Sequence, residues 1–267
     1  MAVRENPGDA WAPLADRFIH GHYGTIRGRV RTHVIDAHLR AHLPPPPAAL
    51  VDVGGGGGNQ SIPLARSGYD VTIIDPSDAM LAGAQEALAS EPAEVARRVR
   101  LVRAGAEDAA AAVGERRFDG VLCHGVIMYV EDPAPFVAAL AGLAGPGAVV
   151  SLVAKNARCL ATRPALEGRW RDALAAFDTD RQVNGLGVDT RADTVEDLTA
   201  LLSRAGVEGF ALCINYPLTI SEMTFSQNTT LCSLIQEHDD EDMSAAAGGA
   251  TEQPPRRSAC RRASRAG

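Results

Sequence analysis

One stretch of the chain decides its fold: Leu50-Val51-Asp52-Val53-Gly54-Gly55-Gly56-Gly57-Gly58-Asn59-Gln60. The apolar residues before the glycines predict a buried strand, and the residues after them are compatible with a helix. Glycines at such a junction permit a tight turn and let a ligand approach the backbone closely. A flexible linker is the alternative, but linkers rarely lie directly between a buried strand and an amphipathic helix. The stretch therefore predicts a nucleotide-binding turn.

The spacing of the glycines excludes two kinds of nucleotide loop. The dinucleotide pattern G-x-G-x-x-G fails in every register, because its third glycine would fall at Asn59, Gln60 or Ser61. The phosphate loop G-x-x-x-x-G-K-[ST] fails because no lysine follows the glycine run. The pattern that fits is acid-x-Gly-x-Gly-x-Gly, which has these fixed positions: Asp52, Gly54, Gly56 and Gly58.

This pattern resembles the first motif of S-adenosylmethionine-dependent methyltransferases of the Rossmann-like class. Their cofactor has no phosphates, so the loop must admit an amino acid and a sulfonium instead of binding an anion at the helix N-terminus. The resemblance implies S-adenosyl-L-methionine as the cofactor and S-adenosyl-L-homocysteine as its product. We expect cofactor contacts from the acid and the glycines: Asp52, Gly54, Gly55, Gly56 and Gly58.

Around the glycine run, strand patterns alternate with helix patterns along the chain. Strands are predicted at 50–53, 70–75, 99–103, 118–123, 148–154 and 207–214, with a last one at 229–235. Helices are predicted at 26–43, 61–67, 78–89, 133–143 and 195–205. This alternation predicts an α/β fold with a Rossmann-like, doubly wound, mostly parallel seven-stranded sheet. A leading N-terminal helix precedes the sheet, and an insertion follows the fifth strand.

The chain divides into three predicted parts. Residues 1–48 are expected to form an arm and a helix that cover the cofactor site, and residues 49–236 the Rossmann-like methyltransferase domain. Residues 237–267 combine an acidic run with a basic end, cannot bury a core and are predicted to be disordered.

Within the predicted domain, residues 155–192 have weaker periodicity than their surroundings. Loops at the carboxyl ends of parallel strands form the ligand crevice, so this insertion is predicted to recognise the acceptor. One helix is suggested by the apolar spacing of Leu166, Trp170, Leu174 and Phe177.

Composition limits the classes of partner. Hydrophobic residues make up 46% of the chain and aromatic residues 4%, so a core of alanine, valine and leucine is expected. The net charge of −7 gives no overall attraction to nucleic acid, although a local basic groove stays compatible with it. The five cysteines form no C-x-x-C pair, so neither a disulfide framework nor a metal site is predicted. No apolar signal core or membrane-length run is present, which predicts a cytoplasmic protein without a membrane partner.

Three further positions fall where the predicted sheet would present a ligand site. Asp75 ends the second strand, where an acidic group can accept hydrogen bonds from ribose hydroxyls. Ala106 and Glu107 follow the third strand, near the expected place of the adenine amino group. His124 follows the fourth strand and is expected to face the cofactor, with a role as general base as a less favoured hypothesis. Each of these residues has an alternative interpretation without a ligand. Asp75 would be a surface aspartate, Glu107 a plain loop carboxylate and His124 a packing residue.

The chain also resembles the tRNA 5-carboxymethoxyuridine methyltransferase family over residues 14 to 210. The motifs that carry this resemblance are Asp16-Arg17-Phe18, Tyr23 to Arg31, His124-Gly125-Val126, Val130-Glu131-Asp132-Pro133 and Asn156-Ala157. The resemblance implies that Arg31 reaches the carboxylate of the cofactor. It implies cofactor contacts from these residues as well: Gly54, Gly55, Asp75, Ala106, Glu107 and His124. Two departures concern the acceptor: Tyr129 stands where the family usually has tryptophan, and the region after residue 212 is shorter in ordered elements.

Three functions follow as hypotheses. The first is an S-adenosylmethionine-dependent methyltransferase acting on an oxygen, which the family resemblance implies to be a carboxylate of tRNA. A carboxylate needs no base, whereas a hydroxyl or amine acceptor needs one, and His124 or Tyr129 is then the first candidate. A basic face for tRNA has these candidates: Arg27, Arg29, Arg31, Arg97, Arg98 and Arg100. The alternatives are a small-molecule O- or N-methyltransferase of metabolism and a non-catalytic module that holds the cofactor.

Overall fold

A computed structural model of the chain describes residues 11–207, 210–216 and 219–225. It has a Rossmann-like α/β fold built on a parallel sheet, as the sequence predicts. The predicted strand at 229–235 and the predicted disordered tail at 237–267 lie outside the described residues.

Nine strands are present in the described part of the chain: β1 Ala49–Val53, β2 Asp70–Asp75, β3 Val99–Arg103, β4 Phe118–His124, β5 Ala144–Ala154, β6 Arg181–Val183, β7 Asp189–Arg191, β8 Phe210–Tyr216 and β9 Thr219–Phe225. The main sheet has the order β3-β2-β1-β4-β5-β8-β9, and β6 pairs with β7 in a separate antiparallel hairpin. Strands β1 to β5 are all parallel to their neighbours, β8 joins β5 in parallel, and β9 pairs with β8 antiparallel.

The helices connect these strands on both faces of the sheet: α1 Ile26–His42, α2 Ser61–Arg66, α3 Asp78–Ala89, α4 Ala93–Ala96, α5 Ala109–Val113, α6 Pro133–Leu143, α7 Thr162–Leu166, α8 Trp170–Ala175 and α9 Val195–Arg204. Local sequence explains several of their starts. The Thr25 hydroxyl accepts from the backbone N–H of Gly28 at 3.1 Å, and the Asp132 carboxylate accepts from that of Ala134 at 3.0 Å.

The core lies on both sides of the sheet because alternate residues of a strand point to opposite faces. Leu50 packs in one cluster with Ile35 of the leading helix α1. Val51 and Val53 pack in a second cluster with side chains of α6 and α9 such as Leu140. The strand before the glycines is therefore covered on both faces, as its nearly continuous apolar pattern predicts.

Within the described residues the sheet has an edge strand that the sequence does not predict. The sequence assigns no element to residues 219–225, yet these residues form β9 against β8. Thr219, Ser221 and Thr224 interrupt the apolar pattern there, so the segment lacks a continuous hydrophobic run. Because pairing with β8 uses the backbone, this strand does not depend on such a run.

The insertion after β5 is not the single helix that the apolar spacing predicts. Residues 162–175 form two short helices, α7 and α8, and the β6–β7 hairpin follows them. Gly168 has φ of 70° just past the end of α7, a conformation that favours glycine and ends a helix. The four apolar side chains behind the prediction are exposed: Leu166, Trp170, Leu174 and Phe177.

The N-terminal residues are more ordered than the irregular arm that the sequence predicts. Residues Ala12–Leu14 form a 3₁₀ turn and Arg17–Tyr23 a stretch of π-helix, which leads into α1. Ile19 of this stretch packs against backbone at two glycines, since a Cβ atom at Gly57 or Gly83 would lie 3.1 or 2.4 Å from its side chain. Contact with the glycine run thus helps to order residues 17–23, whose local propensity alone does not predict a helix.

No helix in the described ranges is long and apolar enough to span a membrane. The same ranges contain no group of three or more His, Cys, Asp or Glu side chains arranged to hold a metal ion.

Candidate functional site

A cavity of about 550 Å³ opens at the carboxyl ends of β1 to β4. This is where parallel α/β sheets bind ligands, at the point where the order of the strands reverses. In this sheet the reversal falls between β1 and β4, which are neighbours although β2 and β3 lie between them in the chain. The strand order therefore predicts a ligand site at the position where the cavity is found.

The predicted site residues converge on this cavity with one exception. Ten of them line it: Arg31, Asp52, Gly54, Gly55, Gly56, Asp75, Ala106, Glu107, His124 and Tyr129. Gly58 does not, because it turns toward the core, where a Cβ atom would lie 3.1 Å from Ile62 and 3.2 Å from Ile73. The role of Gly58 is to shape the loop, since its φ of 75° favours glycine.

The glycine run is a tight turn held by the neighbouring strand. The backbone N–H of Gly54 donates to the carbonyl of Ile74 at 2.7 Å. Gly54 has φ of 73°, and a Cβ atom there would lie 2.3 Å from a methyl group of Val126. A Cβ atom at Gly55 would lie 2.8 Å from the Asp52 carboxyl carbon. The missing side chains therefore leave backbone surface open to the cavity.

Asp75 ties the loop to the end of β2. One carboxylate oxygen accepts from the backbone N–H of Gly56 at 3.0 Å, and the other accepts from that of Ser77 at 2.9 Å. Burial raises the pKa of this carboxyl group, and the two backbone hydrogen bonds partly offset the effect. Each oxygen of an ionised carboxylate keeps a second lone pair, so Asp75 can still accept from a ligand in the cavity.

Asp52 lies beneath the glycine run and accepts a hydrogen bond from the Ser61 hydroxyl at 2.6 Å. Desolvation raises the pKa of Asp52, the Ser61 hydrogen bond lowers it and the charge of Asp75 raises it, so that the pKa is about 6. A cation bound nearby would favour the ionised form of Asp52. The position therefore suits the positively charged amino or sulfonium group of a ligand.

The Asp52→Asn variant is expected to be more stable than wild type at high pH. The pKa of Asp52 is about 6 when folded and about 3.9 when unfolded, so stability is lost as pH rises through this window. At pH 8 we expect a gain of about 1–3 kcal/mol in the free energy of unfolding, shrinking toward zero near pH 4. Urea denaturation at both pH values measures it, and an equal gain at both would contradict this account.

His124 and Arg31 meet at the end of β4. His124 Nε2 lies 3.0 Å from the Ser151 hydroxyl, whereas its buried Nδ1 has no hydrogen-bond partner within the described ranges. Burial and the charge of Arg31 lower the pKa of His124 to about 3, so its ring is neutral at physiological pH. Arg31 donates to the Tyr23 hydroxyl at 3.0 Å and stacks over the Tyr23 ring at 5.3 Å.

Aromatic side chains close the side of the cavity that lies next to β4. The Trp11 ring meets those of Phe18 and Tyr129 edge to face, with centroids 5.5 and 4.9 Å apart. Phe18 meets Tyr23 in the same way at 5.1 Å. Five aromatic residues line the cavity, although aromatics make up 4% of the chain. The sequence does not predict Trp11 and Phe18 as site residues, although Phe18 belongs to one of the motifs that carry the family resemblance.

The polar groups of the lining fit S-adenosylmethionine. Acidic side chains that can accept from ribose hydroxyls and from amino groups lie along β1 to β3: Asp52, Asp75, Glu107 and Asp108. Arg31 offers a cation for a carboxylate. The buried Nε2 of Gln60, a residue that also lines the cavity, has no hydrogen-bond partner within the described part of the chain. Such an atom is satisfied by a ligand more readily than by the apolar core.

Comparison with known proteins agrees with this fit. Residues 51–150, which include the glycine run, match the family model for a methyltransferase domain. Residues 51–150 are therefore similar to a methyltransferase domain. The matched part of this domain ends within β5, so it contains the strands whose ends form the cavity.

Curated relatives are similar over part of their length. The tRNA 5-carboxymethoxyuridine methyltransferase of Escherichia coli (strain K12) is 29% identical over 160 residues, which are 59% of this chain and 60% of that protein. The protein of the same name from Escherichia coli O157:H7 matches equally. The chain therefore matches about three fifths of the length of these relatives.

Solved structures share the fold at low sequence identity. Magnesium protoporphyrin IX methyltransferase from Synechocystis PCC 6803 with bound S-adenosylhomocysteine superposes with a TM-score of 0.55 at 17% identity, covering 80% of this chain and 93% of that one. A methyltransferase in complex with the Haloferax volcanii Trm112 activator gives a TM-score of 0.52 at 16% identity, covering 79% of each chain. The described part of this chain therefore shares its fold with these two proteins.

Proposed function

We propose that the protein transfers a methyl group from S-adenosylmethionine to a carboxylate oxygen of its acceptor. The observation that carries this proposal is the state of the two side chains that sequence analysis names as bases. The pKa of His124 is lowered to about 3 and that of Tyr129 is raised to about 12, both chiefly by burial. A useful general base has a pKa near the working pH. An acceptor that arrives already ionised requires no such base.

The cofactor, when bound, supplies a methyl group on a positively charged sulfur, and the bonding electron pair stays on the sulfur as the acceptor oxygen attacks. The chain then has to orient the acceptor and keep water out. The aromatic rings of Trp11, Phe18 and Tyr129 suit both tasks because they form an apolar wall beside the end of β4. His124 and Tyr129 are proposed to contact cofactor and acceptor as neutral groups.

The charges of the cavity support one orientation of the cofactor. Asp75 ends β2, and Glu107 and Asp108 follow β3, so the acidic side chains at this end suit the adenosine. Arg31 lies near Gly125 after β4, since a Cβ atom at Gly125 would be 3.8 Å from its guanidinium. We propose that the amino acid part of the cofactor and the acceptor meet at this end.

The acceptor is proposed to belong to a tRNA or to a small carboxylic acid. Similarity to the tRNA 5-carboxymethoxyuridine methyltransferases supports tRNA. The few free positive charges near the cavity support the small carboxylic acid. Arg31 is the one Lys or Arg among the described lining residues, and Arg98 of the candidate basic face pairs with Asp70 at 3.1 Å. Arg29 and Arg100 remain exposed on the surface.

Transfer of labelled methyl groups tests the proposal and separates the two acceptors. The protein is incubated with S-adenosylmethionine labelled in its methyl group, together with bulk tRNA or with the low-molecular-weight fraction of a cell extract. We expect label in one fraction and its release as methanol in mild base, because base hydrolyses a methyl ester. Label that survives base would contradict a carboxylate acceptor. No label in either fraction would contradict transfer to both classes.

A further inference from the structure

The turn that contains Asn184 fixes the orientation of its side-chain amide. Asn184 lies between β6 and β7, and its Oδ1 accepts from the backbone N–H groups of Leu186 at 2.9 Å and Val188 at 3.1 Å. An amide nitrogen cannot accept these bonds, and a flipped amide would set N–H groups against each other. The side-chain Nδ2 group therefore points away from the turn.

That Nδ2 group donates to the Tyr129 hydroxyl at 3.1 Å. The phenolic oxygen accepts this bond, so the phenolic proton is not used in it. In the part of the chain that the structure describes, the Tyr129 hydroxyl has no second hydrogen-bond partner. Tyr129 lines the cavity, and its hydroxyl proton has no acceptor within the described residues.

Two more contacts hold Tyr129 in place. The Trp11 ring packs edge to face on it, with centroids 4.9 Å apart. Arg191 of β7 donates to the backbone carbonyls of Val130 at 2.8 Å and Glu131 at 3.1 Å, directly after Tyr129 in the chain. The β6–β7 hairpin thus holds residues 129–131 through two side chains, Asn184 and Arg191. These contacts fix the position of the Tyr129 hydroxyl.

No described residue between 155 and 192 lines the cavity. The insertion is predicted to recognise the acceptor. Within the described residues it reaches the cavity lining through two hydrogen bonds, from Asn184 to the Tyr129 hydroxyl and from Arg191 to the Val130 carbonyl. The hydrogen bond from Asn184 occupies the Tyr129 oxygen as an acceptor and leaves the hydroxyl proton for another acceptor.

We propose that Tyr129 donates a hydrogen bond to the methyl acceptor and that Asn184 is the positioning residue that leaves this donor free. The inference rests on the proposed function and names the acceptor group that it selects, a carboxylate beside an aromatic ring. One carboxylate oxygen would accept a hydrogen bond from the Tyr129 hydroxyl, and the other would be left to attack the methyl group. Hydrogen bonds to a charged oxygen are the stronger kind, and the Trp11 ring offers a surface for stacking.

Two substitutions remove the donor by different routes. Tyr129→Phe deletes the hydroxyl. Asn184→Asp keeps an oxygen for the two backbone N–H groups of the turn, but turns the Nδ2 donor into an acceptor that captures the Tyr129 proton. Val183→Asp is the control, because it adds the same charge one residue away on a side chain that is 63% exposed.

The test titrates phenoxyacetate, an aryl ring with a carboxymethoxy group, into protein saturated with S-adenosylhomocysteine, by calorimetry. We expect wild type and Val183→Asp to bind it alike. Tyr129→Phe and Asn184→Asp should each weaken binding about tenfold or more, because each removes a hydrogen bond to a charged group. The double variant should bind no more weakly than Tyr129→Phe alone. Affinity for S-adenosylhomocysteine should stay the same in Asn184→Asp and Val183→Asp, because neither residue lines the cavity.

The carboxylate itself is tested with 2-phenoxyethanol, which has the same ring and no charge. We expect it to bind more weakly than phenoxyacetate in wild type and to respond less to either substitution. Wild type that does not bind phenoxyacetate, or Asn184→Asp that binds it like wild type, would overturn the inference. Absence of binding to S-adenosylhomocysteine would instead remove the proposed function, and the inference with it.

Discussion

Replacing Gly54 with alanine is expected to weaken the binding of S-adenosylhomocysteine by about 100-fold. Gly54 has φ of 73°, which costs a residue with a Cβ atom about 1–2 kcal/mol. That Cβ atom would also lie 2.3 Å from Val126, a β-branched side chain with little freedom to turn away. Displacing Val126 costs about 1–3 kcal/mol and moves the floor of the cavity. Calorimetric titration measures the loss, which corresponds to about 3 kcal/mol.

Gly147→Ala is the matched control for this variant. Gly147 has nearly the same φ, 74°, but lies at the surface, and a Cβ atom there meets nothing within 4 Å. It carries the backbone strain without the collision, and it is remote from the cavity lining. Gly147→Ala should lower stability by about 1–2 kcal/mol and leave ligand affinity intact. Equal affinity in both variants would show that the steric account of the glycine run is wrong.

Replacing Asp75 with alanine is expected to lower both ligand affinity and stability. The buried N–H groups of Gly56 and Ser77 lose their acceptor, and each costs about 1–3 kcal/mol when unsatisfied. The loop loses its tie to β2, and the cavity loses an acceptor for ribose hydroxyls. We expect affinity for S-adenosylhomocysteine to fall about 100-fold, measured by calorimetry, with the free energy of unfolding lower by about 2–4 kcal/mol.

Asp75→Asn and Asp70→Asn separate the contributions to this effect. Asp75→Asn keeps the shape but sets an amide N–H against one of the two backbone donors, so about half of the stability loss should remain. Asp70 begins the same strand, is exposed and pairs with Arg98 at the surface, so Asp70→Asn should change stability by less than about 1 kcal/mol. Unchanged ligand affinity in both Asp75 variants would contradict the assignment of Asp75 to the cofactor site.

Much of the fold could be predicted because the signals are local. Strand β1 ends in glycines, and β2 begins and ends where the sequence predicts. The helix α3 also keeps its predicted bounds, since Ser77 caps it by accepting from the backbone N–H of Met80. The N-terminal segment 11–23 could not be predicted in this way, because contact with Gly57 and Gly83 orders it from outside its own sequence.

The convergence of the predicted cofactor-site residues on one cavity could be predicted for the same reason. Parallel strands end at one edge of the sheet, so residues that follow different strands converge even when they are far apart in the chain. Asp52, Asp75 and His124 meet in this way. The surroundings of Tyr129 could not be predicted in this way. Trp11 and Asn184 contact Tyr129 from segments that do not follow the end of a strand in the main sheet. Their contacts with Tyr129 depend on how the N-terminal segment and the β6–β7 hairpin pack.

The central claim is that this cavity binds S-adenosylmethionine and presents its methyl group beside Tyr129. Calorimetric titration of the wild-type protein with S-adenosylhomocysteine tests it most directly. The account predicts saturable binding at one site per chain, with a dissociation constant of about 1 μM to 1 mM, the range in which enzymes bind their substrates. It also predicts that Gly147→Ala binds like wild type and that Gly54→Ala does not. No saturable binding to the wild-type protein at millimolar ligand would contradict the account.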